Sequence, residues 1–212
     1  MGYFVTIIIA FMVILLSMML HELAHGVVAY KLGDDTAKTE GRLTLNPLKH
    51  LDPVLSIAMP LILFLSGGPI FGGAKPVPIN TRKLKHGVWG MALVAIAGPL
   101  TNFVLAFLAF LLGHFTGWMY ASGILGEIFT DFVFINLGFG IFNLIPIPPL
   151  DGSRVLYAIA PDPVRELMAR MENWGIVLVM LLVILVPGWL SMIMGGAMNG
   201  ILDFFYWVVG AR

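Results

Sequence analysis

The chain has 212 residues, 59% of them hydrophobic and only 11% charged, with 12 Lys and Arg balanced by 12 Asp and Glu. A soluble domain averages roughly 25% charged residues, so this composition, at a mean hydropathy of +0.94, is that of an integral membrane protein. The zero net charge excludes the basic surface that nucleic acid requires, and the absence of cysteine excludes disulfides and thiolate metal sites, leaving histidine and carboxylate for any metal.

A spanning helix needs about 20 mostly apolar residues. The first such segment runs from Phe4 to about Tyr30 and carries His21-Glu22-Leu23-Ala24-His25 near its C-terminal end. No basic region precedes it and apolar segments recur to the C-terminus, so it is not read as a signal peptide. On a helix, His21 and His25 project from one face, one turn apart. That spacing lets two imidazoles ligate one Zn²⁺ while Glu22 takes a proton from zinc-bound water. Two histidines and a glutamate are costly at membrane depth, which marks them as functional. The plainer alternative is a helix end whose polar residues snorkel to the interface.

The second segment, Val54 to about Phe71, is broken by Pro60 and closes in Gly67-Gly68-Pro69 and Gly72-Gly73. The third, Val88 to about Leu112, is long and clean, and the fourth, Ile124 to Ile147, runs into Pro146-Ile147-Pro148-Pro149. The fifth covers Trp174 to about Val186, with a continuation past Pro187 to Met194. Gly200 to Val209 contains Asp203 and reads as a short sixth helix, or as an interfacial one with Phe204, Phe205, Tyr206 and Trp207 at the headgroups. The expected fold is an all-α polytopic membrane protein of about five to six transmembrane or re-entrant segments. No repeat and no separate soluble domain is evident, so residues 1–212 read as one integral-membrane domain.

Charge placement orients the segments. If Val54–Phe71 re-enters, the loops at 31–53, 73–87 and 148–173 and the C-terminus lie on one side and hold all 12 Lys and Arg, while 113–123 and 187–199 hold none. The positive-inside rule makes the charged side cytoplasmic and puts the N-terminus outside. A fully spanning second segment would instead move Lys75, Arg82, Lys83 and Lys85 to the far side.

A catalytic zinc usually has three protein ligands and an open position. Negative charges near membrane depth are Glu127, Asp131, Asp151 and Asp203. His21 lies about 17 residues into its segment, roughly 26 Å, and Asp151 closes the fourth segment, so both converge on the cytoplasmic third of the bilayer. The prolines before Asp151 deny a regular helical end, which a membrane tolerates only beside protein or a water cavity. Asp151 is thus the expected third ligand; alone, it would read as the cap of a helix beginning near Ser153. His50 and Asp52 read as turn-capping residues around Pro47 and Pro53, with lining the site or a second metal as alternatives. His86 and His114 read as solvated.

The chain resembles the site-2 protease family of intramembrane zinc metalloproteases, in its compact bacterial and archaeal branch without PDZ or nucleotide-sensing domains. The matching residues are His21–His25, Gly98-Pro99-Leu100-Thr101-Asn102, and Asn143 through Gly152, with Gly41–Pro47, His50–Pro53 and Ala74–Pro78 in support. The resemblance implies an enzyme of the cell membrane, with one zinc per chain held by His21, His25 and Asp151 and with Glu22 as base. It implies a transmembrane protein as substrate, and a site open to the cytoplasmic side. It also places Asn102 and Asn143 near the site, where an amide can hold substrate backbone or an oxyanion; interhelical bonding is the other reading. Gly98 is expected to serve close helix packing. A substrate helix must unwind before cleavage, and Thr36–Leu45 or Lys75–Asn80 is expected to offer a short hairpin or edge strand to it. A metal-ion transporter and a non-catalytic metal-stabilised scaffold are the competing functions; the first predicts paired half-helices or internal symmetry, which the chain lacks.

Overall fold

A computed structural model describes residues 3–58 and 73–211. Helix α1 spans Tyr3–Lys31; its sequence has no proline, and it stops where Gly33 turns left-handed at φ 104°. A single turn, α2 (Thr36–Thr39), follows, then a 3₁₀ turn at Pro47–Lys49 and a wide helical turn at Pro53–Ala58. The expected second segment lies mostly at residues 59–72, outside the described residues. The chain returns through an extended stretch at 73–80 to α3 (Gly87–Thr116), which carries Pro99 within it. Then come α4 (Ile124–Asn143), α5 (Asp151–Ile159), α6 (Asp162–Glu172), α7 (Gly175–Leu185) and α8 (Pro187–Val208).

Helix α3 is the centre of the bundle, packing against α1, α4 and α5, while α8 packs on α4. One buried cluster, Ala106, Phe110, Val133, Leu137, Ile141 and Phe205, joins α3, α4 and α8. The outer faces of the long helices instead expose large apolar residues, among them Ile7, Phe11 and Met12 of α1 and Leu93, Leu100 and Leu108 of α3. In lipid such a face is satisfied, because helices keep their backbone polar groups paired internally. Three helices, Val5–Lys31, Gly87–Thr116 and Ile124–Asn143, are long and apolar enough to cross a membrane. Helices α6 and α7 form a fourth candidate if taken as one span bent by 86°.

The structure differs from the sequence expectations at three places. The last stretch is not a short helix from Gly200: α8 is 22 residues long and starts at Pro187. Proline fits the first helical turn, where its missing N–H has no partner to lose, so Pro187 begins a helix instead of interrupting one. The fourth segment leaves its helix at Asn143, before Pro146, since proline disfavours helical geometry in the residue preceding it. No strand occurs among the described residues. Thr36–Thr39 is helical, and the backbone of 75–78 is already engaged. Lys75 N–H donates to His50 O and its carbonyl accepts from Arg42. Val77 N–H is taken by Glu22, and Pro76 and Pro78 have no N–H to offer an incoming strand.

Candidate metal centre

The HELAH turn lies late in α1, with His21 and His25 buried at 7% and 6% exposure and their rings edge to face. Gly26 follows directly; a Cβ there would meet Leu43 and Val77, so its absence lets the 37–43 and 73–80 segments close on this end of α1. On the other side lies Gly98 of α3. A Cβ at Gly98 would stand 2.5 Å from His21 Nε2 and from both Cε1 and Nε2 of His25. Its role is therefore sharper than the helix packing expected of it: it makes the space that both imidazoles fill.

Second partners fix both rings. His21 Nδ1 is 2.6 Å from Asn102 Oδ1, and His25 Nδ1 is 2.8 Å from Val94 O. Both oxygens can only accept, so each Nδ1 carries a proton and Nε2 is the nitrogen each ring can offer to a metal. Val94 stands next to Ala95, whose carbonyl Pro99 deprives of its helical N–H.

Asp151, the first residue of α5, reaches the same point. Its Oδ2 is 3.1 Å from His21 Nε2 and 3.4 Å from His25 Nε2, and the two Nε2 atoms are 3.0 Å apart. Four-coordinate zinc with bonds of about 2.0–2.1 Å separates neighbouring ligand atoms by about 3.3 Å. The three atoms thus stand at the spacing of one tetrahedral face. Asp151 Oδ2 is buried and has no other hydrogen-bond partner, so it and the two Nε2 atoms need a proton or a metal ion shared among them. Donor set and spacing both fit zinc. Candidate ligand atoms of Glu22 and the two histidines also lie within 4.8 Å of one another, and Glu22 Oε2 accepts the N–H of Val77 at 2.8 Å.

The remaining predicted residues fall in different places. Asn102 is fully buried, with its oxygen on His21 and its Nδ2 donating to Asn136 at 2.8 Å. Asn143 donates to Phe139 O of its own helix at 3.0 Å. His50 is buried and caps the 3₁₀ turn, its ring donating to Thr44 O at 2.9 Å. His114 bonds Tyr120 at 2.7 Å, away from the centre. Sequence reasoning missed Val94, Val77, Ser17 and Asn136. Ser17 and Asn136 left a signal, as polar residues in the middle of apolar spans.

Beside α1, the turn 32–36 anchors the extended stretch. Asp34 is fully buried and accepts Thr36 N–H, the Thr36 hydroxyl and Asn80 N–H at 3.0, 2.5 and 2.6 Å. Burial opposes its charge, but the Thr36 and Asn80 donors and nearby Lys83 outweigh it and hold the carboxyl below the usual aspartate range.

Peptidase family M50 matches residues 117–186, a stretch that includes the proline loop and Asp151. The chain is 43% identical over 176 residues to "Putative zinc metalloprotease YwhC" of Bacillus subtilis, covering 80% of this chain and 77% of that protein. It is 33% identical over 185 residues to "Putative zinc metalloprotease Rip2" of Mycolicibacterium smegmatis, covering 86% and 68%. A more distant relative, "Zinc metalloprotease MJ0392" of Methanocaldococcus jannaschii, is 28% identical over 185 residues, covering 87% of this chain and 44% of that protein. No solved structure matches. With relatives above 30% identity aligned over more than two thirds of their length, the chain belongs to peptidase family M50, the site-2 protease family of zinc metalloproteases.

Proposed function

We propose that the chain is an intramembrane zinc endopeptidase that hydrolyses peptide bonds in or near the membrane-spanning segments of other membrane proteins. His21, His25 and Asp151 hold one zinc per chain, and Glu22 is the general base. The observation that carries this reading is the convergence of three metal-binding atoms, from α1 and α5, within 3.4 Å of one another.

Bound zinc supplies Lewis acidity, lowering the pKa of water toward neutrality and polarising the scissile carbonyl. Glu22 adjoins His21 on the same turn; it accepts the proton of the attacking water and returns it to the leaving amine. The Val77 N–H holds one of its oxygens in place. Asn143 is assigned to the substrate side, because Asn102 has both ends of its amide engaged.

Residues 1–212 act as one integral-membrane domain of the cell membrane, with the N-terminus outside and the site toward the cytoplasm. The distribution of Lys and Arg supports that orientation. The substrate is a helix whose peptide bonds are shielded by their own hydrogen bonds, so it must unwind locally before cleavage.

The test compares wild type with Glu22→Gln and Asp151→Ala, purified in detergent, for bound zinc and for cleavage of transmembrane peptides. Glu22→Gln is expected to keep its zinc and lose cleavage, because the glutamine oxygen still accepts Val77 N–H. Asp151→Ala is expected to lose zinc. Cleavage by Glu22→Gln at the wild-type rate would disprove the assignment of the base.

A further inference from the structure

A one-directional chain of hydrogen bonds runs from α4 to the metal centre through three fully buried side chains. Asn136 Nδ2 donates to Phe132 O at 2.8 Å and to Ser17 Oγ at 2.9 Å. Asn136 Oδ1 accepts Asn102 Nδ2 at 2.8 Å, and Asn102 Oδ1 stands 2.6 Å from His21 Nδ1. Ser17, Asn102 and Asn136 are each 0% exposed, so no water competes for these groups.

Direction is imposed at the far end. A backbone carbonyl can only accept, so Phe132 O requires the NH₂ end of the Asn136 amide and turns its oxygen toward Asn102. Asn102 must then present its own NH₂ to Asn136 and its oxygen to His21. An oxygen at His21 Nδ1 demands a proton there, which makes Nε2 the nitrogen offered to a metal, aimed at His25 and Asp151. Reversing either amide would set oxygen against oxygen, or nitrogen against nitrogen, in a buried site.

We infer that Asn136, through Asn102, is a positioning residue that sets the tautomer and aim of His21. The pair joins α4 and α3 to the α1 ligand, and neither asparagine touches substrate. Ser17, one turn before His21 on α1, braces Asn136 in register. Groups that orient a metal-bound imidazole through its other nitrogen typically change metal affinity about 10–100-fold when removed. The inference rests on zinc binding by His21, yet its primary readout does not.

That readout is the ¹⁵N spectrum of His21 in zinc-free, detergent-solubilised protein, assigned by comparison with His21→Gln. Wild type is expected to show the Nδ1-protonated tautomer, and Asn136→Leu a mixture. If the leucine variant is not recovered folded, Asn136→Ala takes its place. Zinc affinity by chelator competition is the second readout. Asn136→Leu and Asn102→Leu are each expected to weaken binding by about 10-fold or more. The double variant should be no weaker than Asn102→Leu, since Asn136 acts only through Asn102. A folded Asn136 variant with an unchanged His21 tautomer, or losses that multiply in the double variant, would overturn the inference. Wild type that shows the tautomer but binds no zinc would overturn the metal reading alone.

Discussion

Val77 gives its backbone N–H to Glu22 Oε2 at 2.8 Å, and no other N–H is present between Pro76 and Pro78. Fifty-five residues apart in sequence, the two are brought together because Gly26 lets the extended stretch lie against α1. A carboxylate held by one oxygen keeps the other aimed. Val77→Pro removes the donor, and a hydrogen bond to a charged group is worth about 1.5–3 kcal/mol. Turnover of a transmembrane peptide should fall about 10- to 100-fold with bound zinc unchanged. Val77→Ala, which retains the N–H, controls for lost packing. Wild-type turnover in a folded, zinc-loaded Val77→Pro would mean that Glu22 needs no such support.

Gly98 is where α3 faces both histidine rings at once. A methyl group there would stand 2.5 Å from both rings, and neither ring can retreat while Asn102 and Val94 O hold its Nδ1. Gly98→Ala should weaken zinc by at least about 10-fold, measured by chelator competition. At Gly138 on α4, by contrast, a methyl group would meet no atom within 4 Å. Gly138→Ala should therefore leave zinc unaffected and gain up to about 1 kcal/mol of helix propensity.

The α1 part of the centre was legible because a helix puts residues four apart on one face, so His21-Glu22-Leu23-Ala24-His25 carries its own geometry. Asp151 was legible as a candidate from its depth and its proline-rich approach. The supporting residues were not, for a physical reason: the Asn102–His21 and Asn136–Ser17 bonds join positions 81 and 119 residues apart. Which polar residue of one apolar helix meets which of another depends on helix rotation, and long runs of Leu, Ile and Phe leave rotation undetermined. The start of α8 failed differently, since proline suits the first turn of a helix as well as it breaks an interior one. No strand forms at 75–78, where the N–H groups of Lys75 and Val77 are bonded within the chain.

Asp34 gives the pH dependence of the segment that carries Val77. Its folded pKa is depressed, so the stabilisation is fully present above the unfolded value of about 3.9 and is lost as pH falls through the lower folded value. The melting-temperature gap between wild type and Asp34→Asn should be constant from about pH 5 to 8 and shrink only below about pH 4. A gap that closes between pH 5 and 7 would assign the effect to another group.

Removing the metal should lower the stability of the centre, where His21 Nε2, His25 Nε2 and Asp151 Oδ2 stand 3.0–3.4 Å from one another. Wild type should melt lower in chelator than in zinc. The stabilisation is about 2.7 kcal/mol when free zinc is 100 times its Kd, growing with the logarithm of zinc concentration. Asp151→Ala removes one ligand. Its melting temperature should not respond to chelator. Thermal melts of both proteins, each with and without zinc, decide the matter. An equal response in the two would place the stabilising metal elsewhere, because a site lacking Asp151 would then hold it as well as the intact one.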